Sequence, residues 1–136
     1  LVCNADREAE GFNGEMKFQE VFIPYLWNTD WIHDKVIEMI DLIWMKDGKF
    51  KVIIEVENST NFTSGIQRGS NLPNDVLKIM IIPDHRENEL NRISDPLFKN
   101  SFESHNWKYI LYSDVDKILR SNASMETIHL FSKELN

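Results

Sequence analysis

An α/β fold with strands in mixed directions is what this sequence predicts, and three observations predict it. Two apolar runs, Ile37–Met45 and Phe50–Val56, flank the turn letters Asp47-Gly48 as the arms of an antiparallel hairpin. A continuous apolar run, Val76–Ile82 (VLKIMII), suits a strand buried on both faces, as parallel strands are. Helical spacings with cap residues lie before, between and after these runs, so helices and strands alternate downstream of the hairpin.

Taken in order, Asn4 or Asp6 caps a first helix with Ala9, Phe12 and Met16 at helical spacing. Gly11 and Gly14 weaken it by roughly 1 kcal/mol each relative to Ala. It ends before Pro24, in the aromatic-rich segment Phe18–Trp31; Trp27 and Trp31 read as core or surface anchors, and Glu8, Glu15 and Glu20 as a solvated face. After the hairpin, Ser59, Thr60 and Asn61 are cap letters for a short helix over Phe62–Leu72. Gly65 and Gly69 are four apart and share a face of it, which allows close packing on the sheet or backbone approach to a ligand. Pro83 stops the VLKIMII strand, and Asp84 with Glu87 forms a near capping box for a helix whose buried side is Leu90, Ile93 and Leu97. His85 and Arg86, in its first turn, stand against the helix dipole and read as surface. Tyr109–Tyr112 is a short strand. Ser113 with Asp116 opens a helix through Leu119, and Ser124 opens a last amphipathic helix with Met125, Ile128, Phe131 and Leu135.

Three acids interrupt the hairpin: Asp41, Glu55 and Glu57. Ile40, Leu42 and Trp44 in one arm, and Phe50, Val52, Ile54 and Val56 in the other, are large and apolar. If both sets face one core, alternation gathers the three acids on the opposite face. A three-residue loop (Asp47, Gly48, Lys49) pairs Lys46 with Phe50 and Asp41 with Glu55, about 5 Å apart at Cβ. A two-residue loop would pair Asp41 with Ile54 and split the acids. Facing carboxylates repel unless positive charge lies between them, and a hard divalent cation held by oxygen supplies it. Solvation on an open strand face is the plainer alternative. Gln67 and Arg68 follow directly on the next helix; a lone Arg there is ordinarily solvated, but beside an acidic strand it is placed to meet a phosphate.

With 136 residues, 42% hydrophobic and 27% charged, the chain is expected to be one globular domain, residues 1–136. The first residue is Leu1, the expectation for a trimmed start or for the catalytic part of a longer protein. No run reaches the length of a membrane span and nothing resembles a signal peptide. The single cysteine, Cys3, favours a reducing compartment and hence a cytoplasmic location. A net charge of −7 argues against a strong nonspecific grip on nucleic acid, although acids around a metal weigh in that sum and the metal restores positive charge locally. Glycine-rich phosphate loops are missing, the four histidines lack zinc spacing, and no serine sits in a nucleophile elbow.

Ile40-Asp41 on one strand, Glu55-Val56-Glu57 on the next and a helix immediately after resemble the PD-(D/E)xK superfamily of restriction endonuclease-like nucleases. The block EVENSTNFTSGIQRGSNL, with Arg68 and Leu72 after the acidic strand, is similar to a subgroup carrying Glu-Val-Glu in place of Glu-x-Lys. Ile40 stands where the pattern has proline and Glu57 where it has lysine. The resemblance implies an αβββαβ core, a mixed sheet flanked by helices, and Mg²⁺-dependent cleavage of DNA of the type II restriction kind. It also implies a site in which Asp41, Glu55 and the Val56 backbone carbonyl hold Mg²⁺, or Mn²⁺ in its place. Glu57 would then orient or deprotonate the attacking water, and Gln67 or Arg68 would contact a phosphate. A palindromic double-strand cut would call for two such sites and so a homodimer. The rival reading is a catalytically inactive nucleic-acid-binding or assembly module on the same fold.

Overall fold

A computed structural model of the chain describes residues 2–3, 39–47, 49–121 and 124–136. The expected first helix and the segment Phe18–Trp31 lie outside these residues. Five strands form one sheet in the order β1 (Val2–Cys3), β2 (Leu42–Lys46), β3 (Lys49–Val56), β4 (Leu77–Ile82) and β5 (Trp107–Leu111). Strand β2 runs antiparallel to both β1 and β3, and β3, β4 and β5 run parallel. The α/β class and the mixed sheet stand as expected, an arrangement consistent with a restriction endonuclease-like core.

The hairpin reaches its register by a different route from the expected one. Lys46 pairs with Lys49, so two residues and not three connect the strands. Asp47 takes a positive φ of 53°, a conformation that Asp tolerates better than most residues. A bulge then inserts Lys51 into β3: Met45 faces Phe50, but Trp44 faces Val52, Ile43 faces Ile53 and Leu42 faces Ile54. The bulge adds the residue that the short turn lacks, and the acid end of the hairpin arrives in the expected register.

Helices cover both faces of the sheet and two apolar clusters result, so the apolar residues of the two hairpin arms do not all face one core. Leu77, Ile79 and Ile110 share one face with Val52 and the partly buried Trp44 and Ile54. They are covered by Ile118 and Val115 of the helix Tyr112–Arg120 and by Ile128, Met125 and Phe131 of the helix Met125–Phe131. The other face carries Ile43, Ile53, Met80, Ile82, Trp107 and Tyr109. Helix α1 (Phe62–Gly69) packs there through Phe62, Gly65, Ile66 and Gly69, an i, i+3, i+4, i+7 stripe. Ile40 and Phe50 belong to this second cluster and not to that of Leu42 and Trp44. For Phe50 the reason is the bulge, which reverses alternation on its turn side.

Downstream, the structure redraws one helix. Asp84 does not cap it; Asp84–Arg86 is a 3₁₀ turn leading into α2 (Glu87–Asn91), and the Asp84 carboxylate accepts the Ser113 N–H at 3.1 Å. A separate helix, α3 (Pro96–Ser104), begins with Asp95 as its cap and Pro96 in its first turn. Its buried residues are Phe98 and Phe102, while Leu97, expected on the buried side, is 77% exposed. The helix α4 (Tyr112–Arg120) begins at Tyr112 behind Leu111 with no side-chain cap, so Ser113 lies inside it and does not open it. The helix α5 (Met125–Phe131) follows the expected start, with Ser124 accepting the Thr127 N–H. Leu135 lies beyond α5 and packs on the α1 side. Lys133 pairs backbone to backbone with Tyr109 along the outer edge of β5. No helix among the described residues is long and apolar enough to cross a membrane.

Candidate functional site

In a parallel sheet the carboxyl ends of the strands, and the loops that leave them, form the customary ligand crevice. Here β3 ends at Val56 next to the end of β4, and the Glu57 N–H still donates to the Ile81 carbonyl at 2.9 Å. Extended one residue past the Leu42–Ile54 pair, the hairpin register sets Asp41 across from Glu55. Asp41 is fastened there by the Val56 N–H, which donates to its Oδ2 at 2.8 Å.

Glu55 faces the α1 side and its side chain is wholly buried. Its two oxygens take a fork from Arg68: Nε to Oε1 and Nη2 to Oε2, both at 2.8 Å. The same Nη2 reaches Glu57 Oε1 at 3.4 Å. The Thr60 hydroxyl donates to the other oxygen, Glu57 Oε2. Three carboxylates and one guanidinium therefore meet at one end of the sheet, with the arginine between two of the acids. Such planar, two-point pairing is what a guanidinium does and an ammonium cannot.

Local sequence explains how α1 delivers this arginine. Asn61 caps the helix by accepting the Thr63 N–H at 2.9 Å, so the helix starts within five residues of Glu57. Gly65 then lets the helix approach the acids, since a Cβ there would lie 2.7 Å from Glu57 Oε1 and 3.5 Å from Glu55 Cβ. One turn later Gly69 serves the sheet instead; its Cβ would meet the Trp107 ring at 2.4 Å and Ile53 Cδ1 at 2.6 Å. Both glycines thus serve close packing, Gly65 against the two glutamates and Gly69 against the sheet. Arg68 follows Gly65 by three positions and so shares its face. Gln67 stands about 200° around the helix from Gly65, exposed, with its carbonyl accepting from Asn71. The structure brings together Asp41, Glu55, Glu57 and Arg68; Gln67 is not among them.

Burial pushes the Glu55 carboxyl from 4.5 up to about 7. Its bonds and charge pairing with Arg68 pull the other way, and the charges of Asp41 and Glu57 add to the rise. The Arg68 guanidinium is held above its usual range, foremost by the hydrogen bond to Glu55.

Arg86, a surface residue by sequence, is buried and reaches 29 residues back along the chain. Its Nη1 donates to the Glu57 carbonyl at 2.9 Å and its Nη2 to the Thr60 carbonyl at 3.0 Å. The available signal was position: Arg86 follows the carboxyl end of a strand that lies beside the acidic one.

A divalent cation can be tested against this geometry. Among the described residues, no three His, Cys, Asp or Glu side chains are grouped as they would be around an ion. The donors present are carboxylate oxygens, the type a hard cation takes, and both oxygens of the buried Glu55 are bonded to Arg68.

A family model described as the type II restriction enzyme NmeDI C-terminal domain matches residues 21–134. No curated protein and no solved structure matches the chain. The family match spans well over half of the sequence and includes Asp41, Glu55, Glu57 and Arg68, and the chain belongs to the family of the type II restriction enzyme NmeDI C-terminal domain.

Proposed function

We propose that this chain is a Mg²⁺-dependent DNA endonuclease domain of restriction type, working with a PD-(D/E)xK site whose lysine has been replaced. One observation carries the reading: Asp41, Glu55, Glu57 and Arg68 gather at the carboxyl end of β3. Membership of a restriction-enzyme family supports DNA as the partner.

Asp41, Glu55 and the Val56 carbonyl would hold the ion, which when bound polarises a phosphate and lowers the pKa of a water. The rest of the chemistry falls to side chains. Glu57, held between the Thr60 hydroxyl and Arg68, is the group to orient the attacking water or take its proton. Arg68 brings the positive charge that lysine would have supplied at position 57, and its fork suits a non-bridging phosphate oxygen as well as a carboxylate. Cutting both strands of a palindrome would need two copies of the site.

A second reading is a catalytically silent DNA-binding or assembly module on the same fold. It is favoured by the closure of Glu55 on Arg68, which leaves both Glu55 oxygens already bonded.

Calorimetric titration of Mn²⁺ into the wild type and Asp41→Ala separates the two. Saturable binding that disappears in the variant, followed by Mn²⁺-dependent cutting of long mixed-sequence DNA, is expected of the nuclease. Identical titrations of both proteins would refute it in favour of the silent module.

A further inference from the structure

The acids and Arg68 draw the eye, but what fixes the turn between them lies outside the acidic strand. Residues 57–61 run from the end of β3 into the cap of α1, and Glu57 and Thr60 bond to each other across this turn through their side chains. The Glu57 end of this turn is buried while residues 58–61 are exposed, so its inner carbonyl needs a partner within the protein. Here the carbonyls of Glu57 and Thr60 are both taken by the Arg86 guanidinium, which is 9% exposed. Arg86 also lies over the Phe62 ring, 4.0 Å from its centroid, at the first residue of α1. Its remaining donors fork onto Glu89, with Nε to Oε2 at 2.9 Å and Nη2 to Oε1 at 2.8 Å.

The charge pattern separates this arginine from its neighbour. Arg68 meets carboxylates and changes the charge of the acid site. Arg86 pairs its charge with Glu89, which is 57% exposed, and bonds the site only through N–H groups to neutral carbonyls, its charge acting on Glu57 with no bond to the carboxylate. It fixes geometry without competing for the acids.

We propose that Arg86 is a positioning residue that clamps the Glu57–Thr60 turn against the end of β4 and so sets the aim of the Glu57 carboxylate between Thr60 and Arg68. Its meaning for catalysis rests on the nuclease reading, whereas the clamp itself can be tested with no metal present.

The metal-free test follows hydrogen exchange of the Arg68 Nε–H by nuclear magnetic resonance, because that proton is bonded to Glu55 beside Glu57. In Arg86→Lys, an ammonium cannot reach both carbonyls and Glu89 at once. The expected result is faster exchange by roughly tenfold, the scale of one lost hydrogen bond in local opening. Glu89→Ala removes an exposed partner without touching the core and is expected to change exchange in the same direction by less; it decides the matter if Arg86→Lys does not fold. Unchanged exchange in the folded variants would overturn the proposal, and so would a lowered melting temperature without an exchange effect. The second arm is Mn²⁺-dependent DNA cutting, in which Arg86→Lys should lose about 10- to 100-fold in rate through the misaimed Glu57 while Mn²⁺ affinity stays near wild type. Equal cutting rates in the two proteins would also overturn it. If the wild type binds no Mn²⁺ through Asp41, the nuclease reading falls, and the exchange arm alone judges the clamp.

Discussion

Replacing Glu55 with Gln should make the protein less sensitive to rising pH between about 4.5 and 7, and the size of the effect follows from where Glu55 sits. The side chain is fully buried, and its carboxyl titrates near 7 in the folded chain against an ordinary 4.5. Between those values the folded protein keeps a proton that the unfolded chain has released, so stability falls as pH rises. The contribution is fully present below 4.5 and is lost by the time pH has passed 7. The interval corresponds to up to about 3 kcal/mol. Glutamine keeps the shape and removes the titration, at a constant cost from leaving Arg68 without its fork. Urea unfolding of both proteins at pH 5, 6, 7 and 8 measures the difference directly. The stability of Glu55→Gln relative to wild type should improve by up to about 3 kcal/mol across that series. A difference that stays flat with pH would refute the assignment of Glu55 as a buried, burial-shifted acid.

Two further predictions follow from the same face of the sheet. Gly69→Ala would push a methyl into the Trp107 ring and Ile53; overpacking of this kind should cost about 1–3 kcal/mol, seen as a lower urea midpoint with an unchanged slope. Lys78 is fully buried in β4, its ammonium donating to the Pro73 and Val76 carbonyls, and burial lowers it to about 8. Its folded value lies below the unfolded 10.5, so wild type should gain up to about 3 kcal/mol as pH rises from 8 to 10.5. Lys78→Met should lack this gain, and parallel stability curves for the two proteins above pH 8 would contradict it.

How much of the site was legible can be judged from single residues. Alternation alone put Asp41 and Glu55 on the face opposite Leu42, Trp44, Val52 and Ile54, because side-chain direction in a strand has period 2. Ser124 and Asn61 announced helix starts through a local hydrogen bond that needs no tertiary partner. Asp84 failed as a cap for the opposite reason: its carboxylate found Ser113, 29 residues away, and no local pattern ranks that partner above the nearby helix. The Lys51 bulge was likewise hidden, since a bulge is chosen by how the two strands satisfy both cores at once and not by the letters of the turn.

By itself, then, the chain determined its α/β class, its hairpin, the parallel strand VLKIMII, and the sharing of one face by the acids. These are consequences of periodicity and caps, interactions that reach only a few residues. Only the tertiary structure decided that the acidic face would be covered, that Glu55 would lose its solvent and be balanced by Arg68, and that Arg86 would close the turn behind Glu57. The physical reason is that burial and charge pairing depend on which segments meet across the sheet, and α1 and the β4–α2 turn meet the acids only once the parallel crossovers are made.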